Sequence, residues 1–135
     1  MKVTDLMIND LVYYIDGEQP IPVVVKMIDG KCDVVCLRQS DGHLFHATID
    51  SLLPIPLTKD ILEKNGFKFD GVAALCRKHV LIFYGDKKHD WEVNIDRDDL
   101  EPYGKSVSIH VKYVHELQHA LYICGIEKEI TIKED

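Results

Sequence analysis

The sequence predicts an α+β protein: an N-terminal SH3-like small β-barrel, then a small α+β lobe ending in an amphipathic helix. Three observations carry that prediction. The first fifty residues hold short β-branched runs separated by Asp-Gly turns. Pro54 and Pro56 then interrupt the sheet pattern. Near the end, Val114, Leu117, Leu121 and Cys124 recur at spacings of three and four, one face of a helix.

Taken in order, Leu11–Ile15 reads as a strand closed by Asp16-Gly17, and Ile21–Ile28 as a second ended by Asp29-Gly30. Cys32–Leu37 and His43–Ile49 are a third and a fourth, with Asp41-Gly42 as a hairpin turn between them. Four short strands with tight turns, followed by Leu52-Leu53-Pro54-Ile55-Pro56, predict a curled sheet or SH3-like barrel over residues 1–56. The second lobe covers 57–135. Thr58 is a good N-cap, a helix runs over 58–65, and Gly66 ends it, with Phe67 and Phe69 anchoring it. Strands are expected between 72 and 96: Val72–Leu75, Val80–Tyr84 and the alternating Trp91–Ile95. Val107–Ile109 reads as a short strand before a helix over 110–124, whose apolar period begins near Ile109 and which Gly125 terminates. Ile126–Ile132 alternates isoleucine with charge and suits an edge strand.

Composition narrows the function. The 135 residues suit one domain or two small lobes, and 46% hydrophobic content supports a core. The sequence has no apolar run long enough to span a membrane and no basic-then-apolar leader, so a cytoplasmic location is expected. Cys32, Cys36, Cys76 and Cys124 are then expected to be reduced core residues. A net charge of −7 disfavours nucleic acid as a partner. The basic clusters Arg77-Lys78-His79 and Lys87-Lys88-His89 are short.

The motif with the most chemistry in it is His115-Glu116-Leu117-Gln118-His119. His-Glu-x-x-His on a helix lets two imidazoles hold zinc while the glutamate activates a metal-bound water. At roughly 100° per residue, His115 and His119 share a face roughly opposite Val114, Leu117 and Leu121, beside Lys112 and Tyr122. That placement predicts a solvated helix face. A catalytic zinc also needs a third protein ligand. The extended motif fails here, since its Gly position is Tyr122 and its third His position is Gly125. The carboxylates that follow, Glu127, Glu129, Glu134 and Asp135, sit on a short charged tail. The expectation is no catalytic residue, metal or cofactor, with the zinc hydrolase of His115, His119 and Glu116 as the alternative.

Two further sets of ligand-type residues read as structure. With Asp41-Gly42 as a two-residue turn, Cys36 opposes Ala47 and Val34 opposes Ile49. Cys32, Cys36, Phe45 and Ala47 then share a core face and His46 points the other way, which argues against a zinc site with His43 and His46. Asp90, Glu92, Asn94, Asp96, Asp98 and Glu101 fall at calcium-loop positions, but Ile95 stands where the loop needs glycine. Strand alternation is the better reading there. Nothing resembles a nucleophile elbow or a phosphate-binding glycine loop.

The stretch Pro54-Ile55-Pro56-Leu57-Thr58-Lys59-Asp60-Ile61-Leu62-Glu63-Lys64-Asn65-Gly66-Phe67 resembles a "PIPLT…iLeknGF" segment. Tyr113-Val114-His115-Glu116-Leu117-Gln118 resembles a "YVHeLQ" segment. Both are similar to a group of small uncharacterised proteins of Bacteroides-type bacteria, often carried by prophage or other mobile elements. Leu6–Tyr13 resembles that group's opening more loosely. The resemblance implies no activity, and it implies that a second histidine at 119 is particular to this chain. The function expected is that of a non-enzymatic accessory or binding protein with a protein partner. The pair Tyr13-Tyr14 is a candidate contact surface, one of the two facing the core by alternation.

Overall fold

A computed structural model describes residues 1–15, 17, 19–70, 73–75, 81–86, 90–96, 106–123 and 129–132. The fold is α+β, with two antiparallel five-stranded sheets and few helices. The chain divides into two compact units, Met1–Ile55 and Pro56–Asp135. Cys76, Cys124, Gly125, both basic clusters, Asp98 and Glu101 lie outside the described residues.

In the first unit, β1 (Leu11–Ile15), β2 (Pro20–Asp29), β3 (Val34–Arg38), β4 (Leu44–Thr48) and β5 (Leu52–Leu53) form a sheet of order β4-β3-β2-β1-β5. A 3-10 turn, Ile49–Ser51, links β4 to β5. Another, Val3–Asp5, precedes β1. Among the described residues β4 and β5 do not pair, so the sheet is not closed.

It is nonetheless curled. Three strand spacings of roughly 4.8 Å separate β1 from β4 along a flat sheet. The rings of Tyr14 and Phe45 on those strands are 4.8 Å apart and edge-on. Side chains leaning together cover part of the gap, and curvature supplies the rest. Strand β2 makes the bend: its first half pairs with β1 and its second with β3, with an irregularity between Val25 and Met27. The extra residue there, Lys26, shifts the inward phase. Val23 and Val25 point into the core before it and Ile28 after it, while Met27 is 65% exposed. Leu6, Val12, Val35, Leu37, Ile49 and Leu52 complete this core, with Tyr14, Phe45 and Ala47 packed at its margin.

The β3–β4 hairpin departs from the two-residue turn. Gln39 N–H donates to His43 O, and Gly42 N–H donates to Gln39 O, with Gly42 at φ +91°. Ser40-Asp41-Gly42 is therefore a three-residue loop whose glycine takes the left-handed position that adds a bulge. Cys36 consequently opposes His46, not Ala47, and Val34 opposes Thr48, not Ile49. One extra loop residue moves the register by one. Phe45 and Ala47 now pack with Val35 and Leu37, while Cys36, still buried, shares the opposite face with His46.

In the second unit, β6 (Lys68–Asp70), β7 (Ala73–Leu75), β8 (Leu81–Asp86), β9 (Asp90–Asp96) and β10 (Ser106–Val111) form a meander of order β10-β9-β8-β7-β6. Trp91, Val93 and Val111 are buried, Ile109 is half-buried and His110 is exposed. Since Val93 opposes Ile109 and Trp91 opposes Val111, these apolar residues line one face. Helix α1 (Lys59–Lys64) begins where Thr58 Oγ1 accepts Ile61 N–H at 3.2 Å. It ends in a Schellman motif: Gly66, at φ +88°, donates to Glu63 O, and Phe67 N–H donates to Leu62 O. Leu62 and Phe67, the apolar pair of that motif, are both buried.

Helix α2 (Val114–Ile123) starts later than the expected helix over 110–124. Ile109–Val111 belong to β10, because β-branched residues alternating against β9 gain ladder hydrogen bonds as well as burial. Segment 126–132 divides: 126–128 lie outside the described residues, and 129–132 form no strand.

Candidate functional site

The His-Glu-x-x-His residues occupy the first two turns of α2, and each side chain has a definite setting. Tyr113 is the residue just before the helix, so Glu116 is its third residue. Glu116 Oε1 accepts the backbone N–H of Lys112 at 3.0 Å and of Tyr113 at 3.1 Å. This is one half of a capping box, in which a glutamate three residues in reaches back to donors that the helix cannot satisfy itself. The negative charge also sits favourably at the positive end of the helix dipole. The carboxylate that would activate water in a zinc hydrolase thus holds the start of its own helix.

His115 corrects the expectation of a solvated face, for it is buried, at 5% exposure. The ring of Tyr113 is stacked on it with centroids 5.9 Å apart, and the ring of His119 meets it edge-on at 5.6 Å. Its Nδ1 atom is out of contact with solvent. A helical wheel treats all turns alike, but the first turn of α2 is covered by the aromatic residue that precedes it. Further along, Tyr122, only 20° away from His115 on a wheel advancing roughly 100° per residue, is 71% exposed. His119 is half-buried between these extremes.

The two imidazoles are therefore neighbours, as the motif requires. Among the described residues no group of three His, Cys, Asp or Glu is placed to hold a metal ion. Of the later carboxylates, Glu129 is exposed, and Glu127, Glu134 and Asp135 lie outside the described residues. The other ligand-type sets form no such group among the described residues either. Cys32, expected in the core, is exposed in the turn before β3, while Cys36 is buried on β3. His46 is exposed on β4, and His43 stacks beside Phe45 at 6.4 Å. Asp90, Glu92, Asn94 and Asp96 occupy alternate positions of β9, successive members roughly 7 Å apart, and Asp98 and Glu101 of that set lie outside the described residues.

Two working residues escape a reading of the sequence. The cap by Glu116 carries half a signal, a glutamate at the third helical position, but Tyr113 in place of Ser or Thr hides it. Asn65 carries none. Its Nδ2 donates to Ile61 O and to Thr131 O, both at 2.8 Å, and its Oδ1 accepts Thr131 N–H at 2.8 Å. The side chain thereby pairs with the backbone of Thr131 as a strand neighbour would, across 66 residues of chain.

On the first unit, Tyr14 packs against the core while Tyr13, half-buried, lies on the opposite face. There it stands in register between Pro22 on β2 and Leu53 on β5. Leu53 is 47% exposed and Ile15, further along β1, 38%. No helix among the described residues is long and apolar enough to cross a membrane. No family model matches the chain, and no curated protein or solved structure shows significant similarity to it.

Proposed function

We propose that this chain is a non-enzymatic binding protein, an accessory factor of a mobile element, that acts in the cytoplasm on a protein partner through its Met1–Ile55 unit. The observation that carries the reading is the position of Glu116. A metal-dependent hydrolase needs that carboxylate beside a metal-bound water. Here its Oε1 accepts two backbone N–H groups at the start of α2.

The fold of the first unit supports a binding role. The strand order β4-β3-β2-β1-β5, the bent β2 and the 3-10 turn before β5 fit an SH3-like small barrel. Small barrels present loops and faces to partners, though a fold alone does not fix a function. The row Leu53–Tyr13–Pro22, on the face opposite the core, is where we place the contact. The net charge of −7 favours a protein over nucleic acid. The resemblance of 54–67 and 113–118 to mobile-element proteins supplies the biological setting.

Metal analysis of the purified protein tests the choice against a zinc hydrolase. The expected result is no stoichiometric zinc in either the wild type or His119→Ala. Stoichiometric zinc that disappears in His119→Ala, together with peptidase turnover abolished by Glu116→Gln, overturns the reading. Affinity capture from the host, repeated with Tyr13→Ser and Leu53→Ser, tests the contact: a protein retained by the wild type is expected to be lost from both variants. Retention by both places the contact elsewhere.

A further inference from the structure

We infer that Asn65-Gly66 is a deamidation site held closed by Thr131, so that chemical ageing at one amide releases the segment 129–132 irreversibly. An asparagine followed by glycine is the most reactive context for this chemistry, because no side chain on the next residue hinders ring closure. The backbone nitrogen of Gly66 attacks Cγ of Asn65. A C–N bond forms, the Cγ–Nδ2 bond breaks, and ammonia leaves with the proton from Gly66. Water then opens the cyclic imide to aspartate or isoaspartate. Of the asparagines Asn9, Asn65 and Asn94, only Asn65 precedes glycine.

The folded geometry restrains each participant. The leaving amide nitrogen is tied to two carbonyls, Ile61 O and Thr131 O, at 2.8 Å. The attacking nitrogen donates to Glu63 O at 3.1 Å. Asn65 has ψ 14°, which turns the nitrogen of Gly66 away from Cγ, and the residue is 9% exposed. Thr131 closes the arrangement, since its N–H holds Oδ1 while its carbonyl holds Nδ2. Reaction therefore requires the helix end to loosen at Gly66 N–H and Glu63 O as well as the segment carrying Thr131 to open.

Once the reaction has occurred the two bonds donated by Nδ2 cannot re-form. A carboxylate accepts but does not donate, so the carbonyls of Ile61 and Thr131 would face oxygen where they now face N–H. A charge would also replace a neutral amide in a buried position. Ile130, now 4% exposed, is the apolar residue that release would uncover.

The experiment follows acid formation at Asn65 by peptide-mapping mass spectrometry of the full chain at mildly alkaline pH. It compares native buffer, urea and the variant Thr131→Pro, which lacks the N–H held by Oδ1. The expected result is conversion in urea, conversion slower by about tenfold or more in the native protein, and an intermediate rate in Thr131→Pro. Equal rates in native buffer and urea overturn the gate, and absence of conversion in urea overturns the site. A second arm measures amide hydrogen exchange at Thr131 in Asn65→Asp. Exchange faster by about tenfold supports irreversible release, and unchanged protection overturns it.

Discussion

The two helices among the described residues of the Pro56–Asp135 unit satisfy the same demand at their first turns by opposite routes. In α1 the residue before the helix supplies the cap, Thr58 reaching forward to Ile61 N–H. In α2 a residue inside the helix supplies it, Glu116 reaching back to Lys112 and Tyr113 N–H. Both routes satisfy backbone donors that a helix leaves over. The difference lies in what else the capping residue could have been. A threonine before a helix has no competing reading. A glutamate between two histidines has one, and here its Oε1 accepts two backbone N–H groups. A motif of chemically capable residues is thus a statement about composition until the geometry of each side chain is known.

Substitutions in both helices sharpen or break this comparison, and Trp91, the chain's one tryptophan, reports on them because it lies buried in the same unit with Nε1 donating to Leu57 O. The largest effect is expected from the buried faces of the helices. Leu117→Ala and Leu62→Ala should each lower unfolding stability by about 3 kcal/mol in denaturant titrations followed by Trp91 fluorescence. A loss below about 1 kcal/mol for Leu117→Ala would mean that the helix face bearing the histidines, and not this one, holds α2 in place. Next comes the backward cap: Glu116→Ala should cost about 1.5 kcal/mol, and Glu116→Gln less, because an amide oxygen still accepts the two N–H groups. Equal losses for the two variants would show that charge, not hydrogen bonding, is what Glu116 contributes. The forward cap is weaker: Thr58→Ala should cost about 1 kcal/mol, with Thr58→Ser close to wild type. Smallest is the exposed pair Lys59–Glu63 at 3.8 Å, whose sequence order opposes the helix dipole. Replacing both by glutamine should change stability by less than about 0.5 kcal/mol.

Particular residues show where local reading fails. Asp41-Gly42 signals a hairpin, and a hairpin is there, but the loop takes three residues and not two. That single residue exchanges Ala47 for His46 opposite Cys36. The bulge at Lys26 has the same character, sending Met27 outward and Ile28 inward with no glycine or proline to announce it. Between Ile109 and Tyr113 the apolar pattern suits a strand or a helix, and pairing with β9 decides for the strand. At the candidate site the wheel placed His115 and His119 side by side, as they are, yet put His115 in solvent where Tyr113 in fact covers it.

The sequence alone determined what short-range forces control. It specified an α+β chain, the turn after β2, the threonine start and glycine end of α1, and the adjacency of the two imidazoles. Each depends on a few consecutive residues whose backbone preferences and hydrogen bonds act within one turn. Tertiary structure alone decided the register of β4, the phase change in β2, the cover over His115 and the pairing of Asn65 with Thr131. Those outcomes depend on partners distant in sequence, and their energies exist only once both partners are in place.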